Sequence, residues 1–334
     1  MNLLTHYMGL RLRNPLIASA SPLTSELATL RALEDHGAAA VVLPSLFEEQ
    51  LRRERMEYER AHQLPATGCP EAQTYFPVHS ESGDGAQSYL RAVQRAKEVL
   101  DIPVIASLNC LSPECWQEYA RQIEVAGADA LELSLSPTPG DLARTGREVE
   151  QSCVRVLAAV RSAVRIPVAV KIGPYFSSLG AMAQDLCTAG ADALVLFDRF
   201  CPPDIDIRTL HRSFELELST AWEARQPLLW IARLHGRISA ALAASTGVQS
   251  ADDVYKYLLA GADTVMTTSA LLRHGPPYMR ELLAGLEALL AARGLDSLEP
   301  IRGCMSQKQL DDPDERARAN YVRMLQAPHI APSP

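Results

Sequence analysis

The 334-residue sequence lacks the cysteine pairings that soft metals require. Its seven cysteines, at 69, 110, 115, 153, 187, 201 and 304, form no C-x-x-C pair. That excludes an evident zinc or iron–sulfur site, so no metal is expected, and it suits reduced thiols in the cytosol. Runs of Lys and Arg are also missing, and the formal net charge is −8. An acidic chain without a basic stripe argues against a nucleic-acid surface. The basic cluster Leu51-Arg52-Arg53-Glu54-Arg55 is interrupted by an acid and reads as a solvated helix face. No apolar stretch approaches the roughly 20 residues needed to span a bilayer. The N-terminus, Met1-Asn2-Leu3-Leu4-Thr5-His6, shows no charged-then-apolar leader pattern. A soluble cytoplasmic protein, bound to no membrane, is the expectation. A G-x-G-x-x-G fingerprint is absent after the first apolar strand, which weakens a dinucleotide-binding reading.

What is present can bury a full core, since 47% of the residues are hydrophobic. The length allows one large α/β domain or two ordinary ones. Short apolar strands recur at even spacing: 14–22, 38–43, 102–108, 130–136, 166–172, 193–197, 239–245 and 264–268. Helix-like segments separate them, such as 27–36 and 86–100. Three of the intervening helices end in one phrase: Ala126-Gly127-Ala128-Asp129, Ala189-Gly190-Ala191-Asp192 and Ala260-Gly261-Ala262-Asp263. Each glycine closes a helix in the left-handed conformation and hands over to a strand within two residues. Repeated units of this kind imply right-handed βαβ crossovers, and eight of them close into a (β/α)8 TIM barrel. A doubly wound open sheet is the alternative.

Two segments exceed a minimal barrel. Residues 46–86 follow strand two, a place over the active-site mouth, and suggest a lid or an interface. Residues 198–226 form a second excursion after strand six. A C-terminal extension adds a helix over 314–325 and a frayed tail, 327–334. Residues 1–326 are expected to form a single domain.

The chemistry centres on Val168-Ala169-Val170-Lys171-Ile172-Gly173-Pro174-Tyr175-Phe176. A lysine at the carboxyl end of a buried parallel strand needs an anionic partner or a task, unless it snorkels to solvent. Loops after strands seven and eight of a barrel commonly hold a phosphate through backbone N–H groups. Here they read Ser245-Thr246-Gly247-Val248-Gln249-Ser250 and Thr267-Thr268-Ser269-Ala270. The competing reading is ordinary N-capping by Ser250 and Ser269. Together with the small loop Ser19-Ala20-Ser21, these features suit a planar phosphorylated cofactor lying across the mouth. For a flavin, a cation beside the electron-accepting end of the ring stabilises the reduced anion.

The chain resembles the FMN-dependent dihydroorotate dehydrogenase family, and within it the bacterial dihydroorotate dehydrogenase-like subgroup. The matching phrases are Asn14 to Pro22, Ala40 to Gln50, Ile102 to Asn109, Val168 to Phe176 and Ser269 to Leu272. The resemblance implies that Ser19, Ala20 and Ser21 pack on the flavin ring and that Lys171 contacts it. It implies that Thr246, Gly247, Ser269 and Ala270 hold the phosphate, with Ser45, Asn109 and Val248 as further cofactor contacts.

The departures concern the substrate. Where the family has a Lys-Ser pair after strand two, this chain has Pro44-Ser45. In one register of strand four, Ser134 replaces the family's Asn and Pro137 its Cys or Ser base; a two-residue shift gives Glu132 and Leu135 instead. Asp198 stands where an Asn would bind substrate, and an acid there repels an orotate-like carboxylate. Ser134, Ser136 and Asp198 are the candidate replacements for the missing base. Strand-end hydrogen bonding by the serines and a loop cap by the aspartate are the ordinary alternatives.

The implied function is FMN-dependent oxidation of dihydroorotate or a related cyclic amide by a homodimer. The alternatives are an FMN enzyme for another small substrate that is linked to a redox protein, and a flavin-binding protein without turnover. A tRNA-reducing flavoprotein is disfavoured by the charge. The electron acceptor stays open among fumarate, NAD, a quinone and a protein partner. The lack of an N-terminal amphipathic extension leans against a quinone.

Overall fold

Strict alternation in Ala130-Leu131-Glu132-Leu133-Ser134-Leu135 shows how the strands are built. Leu131, Leu133 and Leu135 pack outward among the helix-facing residues, while Ala130 joins the cluster inside the ring. With a side-chain period of two, Glu132 and Ser134 fall on the same inward face as Ala130. The neighbouring strand repeats the pattern, with Val168, Val170 and Ile172 outside and Ala169 inside. Eight such strands close on themselves.

The computed structural model describes residues 1–49, 85–109, 116–137, 140–213, 216–308 and 313–326. The barrel consists of β3 (Leu16–Ala18), β4 (Ala40–Phe47), β5 (Val104–Asn109), β6 (Ala130–Leu135), β7 (Val168–Ile172), β8 (Ala193–Leu196), β11 (Ala241–Ala244) and β12 (Thr264–Thr267). Adjacent strands pair in parallel, and β12 returns to β3. The closed ring is the (β/α)8 architecture and rules out the open sheet.

Helices α1 (Leu27–Asp35), α2 (Gly85–Val99), α3 (Trp116–Val125), α4 (Gly146–Arg161), α5 (Leu179–Thr188), α6 (Arg225–Leu234), α7 (Ala251–Ala260), α8 (Ser269–His274) and α9 (Tyr278–Ala291) follow the strands in turn. The separate α10 (Pro313–Gln326) matches the expected C-terminal helix. No described helix is long and apolar enough to cross a membrane.

The repeated Ala-Gly-Ala-Asp phrase has a structural cause. Gly127, Gly190 and Gly261 all take left-handed backbone, with φ between 97 and 116°. Each aspartate that follows accepts the N–H at the start of the neighbouring strand. Asp129 takes Val104 N at 2.7 Å, Asp192 takes Val168 N at 2.8 Å, and Asp263 takes Leu242 N at 2.8 Å. The aspartate satisfies a strand-edge donor that the barrel ladder leaves unpaired. Asp129 is also ion-paired with Lys97 at 2.7 Å.

Several details differ from the sequence expectations. Strand two runs on to Phe47, so Pro44 and Ser45 lie within β4 and not beyond it. Its pairing with β5 shifts register between Val42 and Ser45, which lets the proline sit where no ladder donor is needed. A hairpin of β1 (Thr5–Tyr7) and β2 (Leu10–Leu12) was not anticipated. It closes the ring at the end opposite the strand C-termini. Tyr7 and Met8 pack there against Ile17, Ala40, Ile105 and other inward residues. The excursion after β8 carries a second hairpin, β9 (Asp204–Asp206) with β10 (His211–Ser213). Most of the 46–86 insertion, and the tail 327–334, lie outside the described residues.

Candidate active site at the carboxyl mouth of the barrel

Lys171 stands near the end of β7, its side chain only 12% exposed, with its Nζ 3.7 Å from Glu132 Oε1. Glu132 is completely buried, and neither carboxylate oxygen has a hydrogen-bond partner among the described residues. Burial pushes the Glu132 carboxyl above the usual range; the Lys171 charge opposes that shift and Asp198 adds to it. Burial also works against the lysine charge, but the two acids, Glu132 first, outweigh it and hold the Lys171 ammonium above its usual range. Lys171 is therefore a fixed cation with an anionic partner and not a snorkelling side chain. The hydroxyl of Tyr7, below it in the barrel, is pushed well up by burial and then by Glu132.

Asp198 follows the end of β8. Its Oδ2 accepts from Ser134 Oγ at 2.9 Å and from Ser136 Oγ at 2.7 Å. Its Oδ1 accepts from Arg199 N at 3.1 Å. The three residues proposed separately as base are thus one unit, a carboxylate held by two serines. Arg199 is engaged by Glu223 at 2.7 Å and by Cys201 Sγ at 3.1 Å. Pro137 lies to one side, in a smaller groove of about 170 Å³ that Ser136 and Asp198 also border.

A cavity of about 240 Å³ joins these groups to the loops after β11 and β12. Ser19, Ala20 and Ser21 line one wall, Lys171 and Asp198 another, and Thr246, Gly247, Val248 and Ser269 a third. Asp198, Arg199 and Cys201 also border a wider cavity of about 660 Å³ that reaches Tyr175, Phe200 and Trp222. Ser45, Asn109 and Ala270 are not among the lining residues. Ser45 Oγ instead shares a 2.7 Å hydrogen bond with Ser107 Oγ, Asn109 ends β5 in register with Phe47 and Ser134, and Ala270 is fully buried.

The loop after β11 is unusual. Thr246 and Gly247 both take positive φ, 77 and 74°. For a β-branched residue this costs on the order of 1–3 kcal/mol and persists only when neighbours over-determine it. Thr246 Oγ1 donates to Phe197 O at 3.0 Å, and Thr246 O accepts from Tyr257 Oη at 2.6 Å. Gly247 is required for a second reason: a Cβ there would lie 2.5 Å from Ala224 N. Capping by Ser250 is confirmed, since it heads α7 in a box with Asp253. Ser269 is not the cap of α8, because Thr268 takes that position. Its hydroxyl accepts from Ser219 N at 3.1 Å and Ser219 Oγ at 2.9 Å.

The donor set fits a phosphorylated flavin: one cation at the ring end, and hydroxyls with a left-handed loop at the other. No group of three or more potential metal ligands occurs among the described residues.

A family model described as dihydroorotate dehydrogenase matches residues 79–290. The chain belongs to the dihydroorotate dehydrogenase family. It is 29% identical over 303 residues to a putative dihydroorotate dehydrogenase A (fumarate) of Aeropyrum pernix, covering 88% of this chain and 94% of that one. It is 28% identical over 310 residues to the catalytic subunit of dihydroorotate dehydrogenase B (NAD(+)) of Methanothermobacter thermautotrophicus, covering 90% and 97%. The corresponding subunit of Methanosarcina mazei is 28% identical over 314 residues, with 88% and 92% covered.

Sequence reasoning weighed Glu132 only as a register alternative in this dehydrogenase-family chain, although a charge inside the alternating β6 was a readable signal. Ser219 and Arg273 escaped it, because Ser219 lies on a segment with no periodic pattern and Arg273, on α8, meets it only through that segment's backbone carbonyls.

Proposed function

We propose that the protein is an FMN-dependent oxidoreductase that oxidises dihydroorotate or a closely related cyclic amide. The observation that carries this reading is the Asp198 carboxylate, oriented by Ser134 and Ser136 beside the Lys171 cation in one cavity. FMN, when bound, supplies the acceptor for the hydride leaving C6 of the substrate. Lys171 and its counter-ion Glu132 supply a fixed positive charge for the ring. Thr246, Gly247, Val248 and Ser269 hold the phosphate, while Ser19, Ala20 and Ser21 leave the flat face of the ring room to pack. Asp198 takes the proton from C5, in the role of general base. Its two serine donors orient it by occupying Oδ2, and Oδ1, which accepts only from Arg199 N, keeps a lone pair free for the transfer.

A second reading rests on the same carboxylate. A fixed acid repels a substrate carboxylate and accepts readily from a ring N–H. It therefore favours an uncharged cyclic amide over dihydroorotate itself. The names of the relatives include the catalytic subunit of an NAD(+) dihydroorotate dehydrogenase, which supports electron delivery to a partner protein.

Anaerobic flavin spectra test both readings. Dihydroorotate bleaching the flavin band supports the first. Bleaching only by an analogue that lacks the carboxylate supports the second. A bound flavin that neither compound reduces removes both. Asp198→Asn is expected to slow flavin reduction by the active compound about 10²- to 10⁴-fold with flavin content unchanged. Reduction at the wild-type rate in that variant would remove Asp198 as base.

A further inference from the structure

The cradle assigned to the phosphate is completed by a residue from outside the barrel loops. Ser219 belongs to the irregular segment between β10 and α6, yet it is 95% buried by its 5% exposure. Gly247 N donates to Ser219 Oγ at 3.3 Å, and Ser219 Oγ and N both reach Ser269 Oγ. The side chain of Ser219 thus links the two phosphate loops.

Thr220 caps the short 3-10 helix Ala221–Ala224 with Glu223, but the preceding Leu216-Glu217-Leu218-Ser219 has no glycine and lies in no described strand or helix. Its carbonyls are instead tied from behind. Arg273 Nη1 donates to Ser219 O at 3.0 Å and Nη2 to Leu218 O at 3.1 Å. Gln249 Nε2 donates to Ser219 O at 2.9 Å, and Arg273 also donates to Gln249 Oε1. Tyr278 Oη donates to Gln249 O at 2.9 Å, which anchors the glutamine in turn.

Among the described residues Arg273 has neutral partners only and makes no ion pair, whereas Arg199, which lines the cavity, is matched by Glu223 at 2.7 Å. A guanidinium without a counter-ion, bound to the back of a cradle whose own groups are neutral, leaves positive potential on the side where an anion would sit.

We infer that Arg273, with Gln249, is a positioning clamp that seats Ser219 in the phosphate cradle and gives the site its preference for a phosphorylated flavin. The inference rests on the FMN reading above and names two residues that do not touch the cofactor. The clamp acts at the phosphate end alone, so its loss weakens FMN and spares riboflavin.

The test is the ratio of FMN to riboflavin Kd, read by quenching of flavin fluorescence on titrating the full-length apoprotein. In Arg273→Gln, FMN affinity is expected to fall about 10- to 100-fold, with riboflavin affinity within about twofold of wild type. Arg273→Lys keeps the charge and loses the two-pronged grip, so it falls between. Gln249→Ala leaves the guanidinium in place and provides a second variant if Arg273→Gln does not fold; it too must shift the ratio. In wild type the preference for FMN shrinks with added salt. An unchanged ratio in the folded variants overturns the clamp while FMN binding by the wild type stands. A wild type that binds neither flavin overturns the cofactor reading and the clamp together.

Discussion

Replacing Glu132 by glutamine tests whether the buried pair is what keeps Lys171 charged. The change keeps the side-chain shape and removes the closest counter-charge, 3.7 Å from the ammonium. Breaking a buried ion pair by removing one partner costs about 3–5 kcal/mol. Two features reduce that here. Asp198 remains as a second acid near Lys171, and a neutral glutamine is easier to bury than a carboxylate without hydrogen bonds. A loss of about 1–3 kcal/mol at pH 7 is therefore expected, read as a lower urea midpoint at unchanged m-value.

The pH dependence separates charge from packing. In the wild type, the folded-state pKa of Lys171 is raised above its unfolded value. Its stabilisation is thus complete below the ordinary lysine pKa and is lost as pH rises through the raised one. In Glu132→Gln, burial is opposed only by Asp198, and the folded pKa falls. A depressed lysine destabilises most at low pH and recovers as it loses its proton. The Lys171 part of the stability difference should be present in full at neutral pH and be lost as pH rises through the lysine range toward the raised value of the wild type. A difference that stays constant to pH 11 would assign the loss to packing. No difference at pH 7 would show that the pair contributes nothing.

Two further predictions concern backbone and thiols. Gly247→Ala forces a side chain into left-handed backbone, with its Cβ 2.5 Å from Ala224 N. It should lower stability by about 2 kcal/mol or more in urea unfolding; a loss below about 0.5 kcal/mol would show that the loop relaxes freely. Cys153 is buried, and burial above all pushes its thiol up to about 11. At pH 8 iodoacetamide should label exposed Cys304 well before Cys153, followed by mass spectrometry of native protein. Equal labelling rates would contradict the packing of α4 against the barrel.

The sequence by itself determined the architecture and the loops that line the cavity. Eight apolar strands, the Ala-Gly-Ala-Asp phrases and a lysine closing the strand 168–172 are local signals: alternation, left-handed glycine and a charge in an apolar run. Each acts over a few residues and so can be read from them. The family resemblance placed Thr246, Gly247 and Ser269 for the same reason, since the loops lie next to their strands in the chain.

Only the tertiary structure decided what those residues do to one another. Glu132 and Lys171 are separated by a helix in sequence and become partners because parallel strands lie side by side. Ser134, Ser136 and Asp198 read as three rival candidates, yet closure of the ring carries them onto one carboxylate. The N-terminal hairpin beneath the barrel and the Arg273 grip on Ser219 left no trace in any pattern. Such contacts join elements far apart in sequence that only the packed barrel brings together, and the irregular segment that carries Ser219 has no period from which its partners can be read.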